Sequence, residues 1–390
     1  MRFLWLVFLT ITLYAQDALD IMNSMRIRAG LQKLQRDAHL MQAARAHARY
    51  QASNTIFSHF ESPAYKNFFA KTPKKRAYKA GALSGYILEN ISHGQENYAV
   101  SITSLMGAIY HRFVFLNPYV DRVGYAKQGR YYCYDFGIDE LERLCAGGDT
   151  SESSFMVDLC ANGTKVGYER FKSVTHYAGK PIVWPYEGMR EVPVIFYEEM
   201  PDPLPDRKFS GYPVSVQFAD GFRRTDLVTF TLFCDGKEVA TRLLDARSDP
   251  NSLLKENQFA LFPLEPLAFN TRYDVLICYK DLRTKDIVTL RTHFFTKKIA
   301  MPIVILDGEH YKSATLFGSR RYLLYLRSDP KRPYYFRYIA CSGKCWYKML
   351  GPNMMIVQNS VTKEGKITLY LSAGKKVTLK VMPPQKGRED

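Results

Sequence analysis

Three residues between positions 59 and 111 could do chemistry together: His59 in Phe57-Ser58-His59-Phe60, Glu89 in Leu88-Glu89-Asn90-Ile91, and His111 in Tyr110-His111-Arg112. Two neutral imidazoles and one carboxylate make a three-ligand set with a vacancy, the arrangement used for catalytic zinc. Water bound to such a metal is acidified toward a pKa of ~7. Without metal, a carboxylate favours the charged form of a neighbouring imidazole, and the set becomes an acid/base cluster. The plainer reading is a hydrogen-bonded network that only fixes the shape of a cleft. The sequence has no Gly-x-Ser-x-Gly and no activated cysteine near this set, so an enzyme built here would have Glu89 as its acid/base group.

The elements that must position these residues can be read from periodicity. Leu19, Met22, Met25, Arg26 and Ala29 form one helical face that stops at Gly30. Asp37 reads as the N-cap of a second helix, where Leu40, Ala44, His47 and Gln51 recur at helical spacing. His47 is expected to be a core histidine bonded to backbone. Pro63 begins a looser stretch, and Pro73-Lys74-Lys75-Arg76 reads as a basic loop. Leu83 to Ile91 is apolar around Glu89, which must pair with a cation or a histidine, or cap the next helix. A helix is predicted from Ala99 to Tyr110, with His111 and Arg112 at its C-terminal end, where the dipole favours cations. Asn117-Pro118 blocks its continuation. Val123 to Ala126 and Tyr131 to Phe136 are predicted strands joined by Lys127-Gln128-Gly129.

Asn23-x-x-Arg26, Gly30-Leu31-x-x-Leu34-x-x-Asp37-x-x-Leu40, the Ala44/His47-Ala48 helix, Phe57-Ser58-His59, Glu89-Asn90-Ile91, His111-Arg112 and Val123-Gly124 follow one another in a characteristic order. In that order and spacing, residues 17–137 resemble the CAP superfamily (SCP domain; cysteine-rich secretory, antigen 5 and pathogenesis-related proteins), and its bacterial branch above all. The resemblance implies a three-layer α-β-α sandwich around an antiparallel sheet, with a cleft lined by two His and two Glu that can hold a divalent metal such as zinc. Carried over, His59 and His111 are the two His and Glu89 the first Glu, with Arg112 beside them in the cleft. The sequence departs from the pattern at Leu105, where the bacterial branch has Trp, and at Ala108-Ile109-Tyr110. The second Glu has no counterpart: Glu61 and Glu96 are the nearest in sequence. His93, four residues after Glu89, would share its face on a helix and is a further stand-in.

The remainder is read from composition and spacing. With 390 residues, 46% hydrophobic and 24% charged, the chain is globular and long enough for two or three domains. Met1-Arg2 followed by the apolar run Phe3 to Tyr14 reads as a signal peptide cleaved after Ala15; twelve residues are too few to cross a bilayer. Net charge is +16, and residues 299–390 carry 16 Lys/Arg against 6 Asp/Glu. An exported chain rarely meets nucleic acid, so the expected partners are an envelope lipid, an anionic polysaccharide or a protein, with the chain itself a monomer, secreted or held in the periplasm or cell envelope. Seven cysteines fit an oxidising compartment. The expected pairs are Cys145–Cys160, Cys234–Cys278 and Cys341–Cys345, leaving Cys133 free and buried. Short strands recur from Pro213 to Phe295, with Asp235-Gly236 as a turn. Leu264-x-Pro266-Leu267-x-x-Asn270-Thr271-x-Tyr273 is similar to the end of bacterial immunoglobulin-like domains, and a seven-strand sandwich is expected. Strands recur again from Tyr322 to Val381.

The fold class is therefore α+β: signal peptide 1–15, CAP/SCP domain 17–143, connector 144–190, immunoglobulin-like sandwich 191–298, smaller basic C-terminal β domain 299–384 and tail 385–390. The functional expectation is an exported binding protein whose cleft takes a metal ion or lipid-like ligand. A peptide or glycan hydrolase of the envelope, and an adhesion protein with an inert CAP scaffold, are the alternatives.

Overall fold

The computed structural model describes residues 17–147, 153–307 and 314–384. The expected signal peptide and tail lie outside the described residues. The chain forms two compact units: one from residues up to Trp184 with Ser215–Arg224 and Leu254–Gln258, the other from Pro185–Val214, Thr225–Leu253 and the residues from Phe259 onward. Each is assembled from separated stretches. Helices concentrate in the first unit and strands dominate the second, a mixed α+β chain.

The first unit contains α1 (Ala18–Arg28), β1 (Gln35–Arg36), α2 (Ala38–Asn54), α3 (Pro73–Lys79), β2 (Leu88–His93), α4 (Tyr98–Gly107), α5 (Ile109–Phe115), β3 (Arg122–Gln128), β4 (Tyr131–Gly137), α6 (Asp139–Gly147) and α7 (Tyr168–Val174). The sheet order is β1-β3-β4-β2, antiparallel except for β1 beside β3. β2 is thus an edge strand. Strand parity divides its residues between two faces. Ile91 and Cys133 share a core with Ala126 and with Ala44 and Ala48 of α2. On the other face, Ser92 Oγ meets Ser101 Oγ of α4 at 2.6 Å, and that hydroxyl meets Tyr134 at 2.7 Å.

Local chemistry explains most of these elements. Asp37 caps α2 by accepting from Leu40 N at 2.9 Å, as its sequence position suggests. Small alanines let α2 lie close on the sheet, and Gly124 completes the approach: a Cβ there would stand 2.0 Å from the Leu40 carbonyl carbon. The basic-loop reading of Pro73–Arg76 is corrected. Thr72 Oγ1 accepts from Lys75 N at 3.2 Å and Pro73 fills the first turn, where its missing N–H is harmless, so the segment is a helix. The single helix expected over Ala99–Tyr110 is two, because Ala108 is extended between α4 and α5. His111 and Arg112 consequently sit inside α5, not at a helix terminus. Phe155 pairs with Gly167 in an isolated bridge just before α7.

In the second unit, strands Lys237–Glu238, Leu227–Cys234, Arg272–Lys280, Ile287–Thr296 and Met189–Val192 form one sheet in that order. Tyr273, Val275 and Ile277 point inward at alternate positions. Two further four-stranded sheets, built from strands between Ile303 and Met382, share a core containing Leu324, Leu326, Val357, Ile367, Leu369 and Leu379.

Disulfides Cys145–Cys160 and Cys341–Cys345 are present, and Cys133 is free and buried. The Cys234–Cys278 pair is corrected: both thiols are free. Register is the reason. Cys278 lies opposite Thr229, whereas Asp274 lies opposite Phe233, next to Cys234. The two cysteines are offset by several residues at about 3.4 Å each, beyond the span a disulfide bridges.

Candidate functional site

The site is a chain of buried charges on the α2 side of the edge strand. His47, carried inward by the alanine face of α2, is fully buried. Its Nε2 donates to the Ser58 carbonyl at 2.9 Å, and its Nδ1 faces Glu61 Oε1 at 2.9 Å. Because Nε2 must carry a proton to meet a carbonyl, the proton between Nδ1 and Glu61 is an additional one, shared by the pair. Glu61 Oε2 accepts from Phe69 N at 2.7 Å. Arg76, on the inward face of α3, is also fully buried. Its Nε lies 3.8 Å from Glu61, its Nη1 donates to the His59 carbonyl at 3.1 Å, and its Nη2 pairs with Glu89 Oε2.

Glu89 collects the rest. Its side chain is 2% exposed, and its Oε1 is 2.8 Å from His59 Nδ1. Cys133 Sγ donates to Oε2 at 3.3 Å, and Asp135 lies directly across the ladder. His59 stands at the open end, its side chain 42% exposed. The sequence from interior to surface is His47, Glu61, Arg76, Glu89, His59.

Burial and charge set the protonation of this cluster. Burial pushes Glu89 up, but the hydrogen bond to His59 and the charge of Arg76 outweigh it and hold the carboxyl well below the usual range. Asp135 moves the other way: burial and the adjacent Glu89 charge push it well above the ordinary value. Its Oδ2 has no hydrogen-bond partner among the described residues. Burial, with Asp135 and Glu89 nearby, also raises the Cys133 thiol far above its usual value. Cys133 is the cysteine beside the cluster that sequence reasoning missed, and it is an inert thiol, not a nucleophile. Arg76 was the other miss; its signal was Thr72-Pro73, a helix start placing Arg76 one turn in.

The profile of the Cysteine-rich secretory protein family, CAP, matches residues 19–136. These residues are a CAP domain. Solved structures similar to the chain include an extracellular SCP-domain protein of Bacillus anthracis (22% identity, TM-score 0.29, 31% of this chain and 39% of that one). Others are an outer surface protein of Borrelia burgdorferi (18%, TM-score 0.28, 31% and 88%) and a cysteine-rich secretory protein of Staphylococcus aureus (20%, TM-score 0.25, 30% and 36%). The alignment thus spans 39% of the Bacillus protein's length. No curated protein matches the chain.

Within the CAP domain the expected site residues separate. His59 and Glu89 are joined directly. His111 is near the same edge strand, with its carbonyl accepting from Asn90 Nδ2 at 2.9 Å, but Asn90 leaves β2 on the face opposite Glu89. Glu61 is not a fourth ligand beside Glu89; it is committed to His47 and Phe69 N. His93 does not share a helix face with Glu89, since both lie on β2; its exposed ring packs on Tyr131 at 4.2 Å and lies 6.2 Å from Phe57. Glu96 is exposed beyond β2, its carbonyl accepting from Lys127 Nζ. Arg112 does not line a cleft: it is fully buried, donating to the Met106 carbonyl at 2.7 Å and Ser215 Oγ at 3.1 Å.

For a metal, the donor sets differ in fitness. Glu89, Cys133 and Asp135 have ligand atoms all within 4.8 Å of one another. Yet Arg76 already supplies positive charge there, and burial favours the protonated forms of Cys133 and Asp135. His59, Glu89 and His111 do not form such a group among the described residues. Both Glu89 oxygens are engaged, Oε1 with His59 and Oε2 with Arg76 and Cys133, as in a carboxylate that orients an imidazole.

Proposed function

We propose that this chain is an exported binding protein whose CAP domain takes an amphipathic, lipid-like ligand at the open end of the charge chain, and whose immunoglobulin-like and C-terminal β modules hold it at the cell envelope. The observation that carries the reading is the pairing of a partly exposed, oriented imidazole with apolar rings. Glu89 fixes His59 from below, while Phe57, 53% exposed and two residues away in sequence, lies 6.2 Å from the His93 ring, which in turn packs on Tyr131. Such a surface meets a polar head with the imidazole and an apolar body with the rings. Export is supported by the leader-like Phe3 to Tyr14 and by two disulfides. Fluorescence titration with cis-parinaric acid tests it. Saturable binding is expected in the full chain, weakened about tenfold or more by His59→Ala and by Phe57→Ser; no saturable binding, or equal affinity in all three, sinks the reading.

A metal reading has one observation of its own. A histidine donating one ring nitrogen to a buried carboxylate presents the other as a ligand, the usual outer-shell arrangement of a bound zinc, and His111 would be the second imidazole. Equal, negligible zinc after dialysis in wild type and in His59→Ala/His111→Ala would dispose of it.

A further inference from the structure

The segment joining α2 to α3 carries a surface that the folded domain leaves unused. Phe57, Phe60, Tyr65 and Phe68 are 53%, 60%, 51% and 37% exposed. One exposed ring needs no explanation, but a group of them does. The segment is not slack. Asn54 clasps Lys66 twice, Nδ2 to its carbonyl at 2.9 Å and Oδ1 from its N–H at 3.2 Å. Ser62 N donates to Tyr50 Oη at 3.0 Å, Glu61 N to the Lys71 carbonyl at 3.0 Å, and Asn67 Nδ2 to Ser53 Oγ at 2.7 Å. These bonds fix the backbone that carries the exposed rings.

Charge then selects the partner. Between Ile56 and Lys79 there are five lysines and Arg76 against one acid, Glu61. Arg76 and Glu61 are buried in the charge chain, and Lys74 pairs with Asp158. Lys66, Lys71, Lys75 and Lys79 remain exposed, and the segment exposes no acid. Rings interleaved with ammonium groups suit a boundary that is apolar on one side and anionic on the other. A folded protein partner would have to desolvate these lysines to cover the rings, whereas a headgroup layer accepts the lysines while the rings sit at the acyl boundary.

We infer that the α2–α3 segment docks on an anionic phospholipid surface, with Phe60 and Phe68 at the acyl boundary and Lys66 and Lys71 among the headgroups. The inference uses no atom of His59 and stands apart from the ligand reading. Vesicle co-sedimentation of the full chain tests it. Phosphatidylcholine vesicles containing phosphatidylglycerol should bind, pure phosphatidylcholine much less, and added salt should weaken the binding. Lys66→Gln/Lys71→Gln should weaken it about thirtyfold and Phe60→Ser/Phe68→Ser about tenfold, with thermal unfolding unchanged because all four side chains are exposed. His59→Ala should bind vesicles like wild type. Absence of wild-type binding, or loop variants that bind equally well, would overturn the inference. So would binding to soluble dextran sulfate that is lost in the lysine variant while vesicle binding ignores the phenylalanine variant, which would assign the segment to a polyanion.

Discussion

Arg76 is the residue on which the charge chain depends. It sits between Glu61 and Glu89 with no solvent contact. Removing one partner of a buried ion pair leaves an uncompensated charge, at a cost of about 3–5 kcal/mol. Arg76→Met should lower unfolding free energy by that amount in urea titrations. A loss under about 1 kcal/mol would mean the carboxylates find other compensation. Glu89 and Asp135 oppose each other in pH. Glu89 titrates below its ordinary value in the fold, so its contribution is present above the usual carboxylate range and is lost as pH falls through that range toward the folded value. Asp135 titrates above its ordinary value, so the stability tied to its proton is present at low pH and is lost as pH rises past the ordinary Asp value toward the folded one. Glu89→Gln should therefore flatten the acid side of the stability profile. Asp135→Asn, which keeps a neutral donor, should flatten the other side and cost no more than about 1 kcal/mol at neutral pH. Unchanged profiles in urea midpoints measured against pH would refute the assignment.

At the scale of elements, α3 turns a basic stretch into a site, because it aims one of its four cations inward. Its start is set by Thr72, and Thr72→Ala should cost about 1 kcal/mol, read as a lower midpoint of thermal unfolding. The same helix shows what the sequence could tell. His59 beside Glu89, the α2 cap at Asp37 and the strands around Val123 and Tyr131 were legible, because caps, periodicity and turn residues act locally. Arg76 was not: a run of Lys and Arg looks solvated until the helix phase decides which member faces in. The His59–Glu89–His111 grouping was legible in part: His59 meets Glu89 directly, while His111 reaches β2 through its backbone carbonyl on Asn90. All three adjoin the edge strand, but strand parity sends Glu89 and Asn90 to opposite faces, which spacing in sequence does not reveal. Cys133 came beside Glu89 for a related reason, the register of β2 on β4. Cys234 and Cys278 were plausible partners by count and were separated by register alone.

For the whole molecule, cysteine state is the property that joins both compact units to the compartment. Of seven cysteines, four lie in Cys145–Cys160 and Cys341–Cys345, and Cys133, Cys234 and Cys278 are free. The free thiols differ in access. Cys133 is fully buried among groups that keep it protonated, while Cys234 and Cys278 are half-buried on the sheet of the second unit. Native protein should therefore react with a thiol reagent at Cys234 and Cys278 and spare Cys133, and denaturation without reductant should expose the third. Five labels would break one disulfide assignment, and one label would restore the Cys234–Cys278 pair. The two bridges also divide stability unequally. Cys145–Cys160 spans 15 residues in the first unit and Cys341–Cys345 only 4 in the second. Loop-closure entropy assigns about 3 kcal/mol to the longer loop and about 2 kcal/mol to the shorter. Cys145→Ser/Cys160→Ser should accordingly lower stability more than Cys341→Ser/Cys345→Ser. Because the longer bridge closes the first unit, its loss should also reach the CAP domain, raising the reactivity of Cys133 as that domain opens more often. A Cys133 that stays unreactive in the Cys145→Ser/Cys160→Ser variant, under conditions where its unfolding midpoint has fallen, would show that the bridge and the charge chain belong to separately unfolding parts.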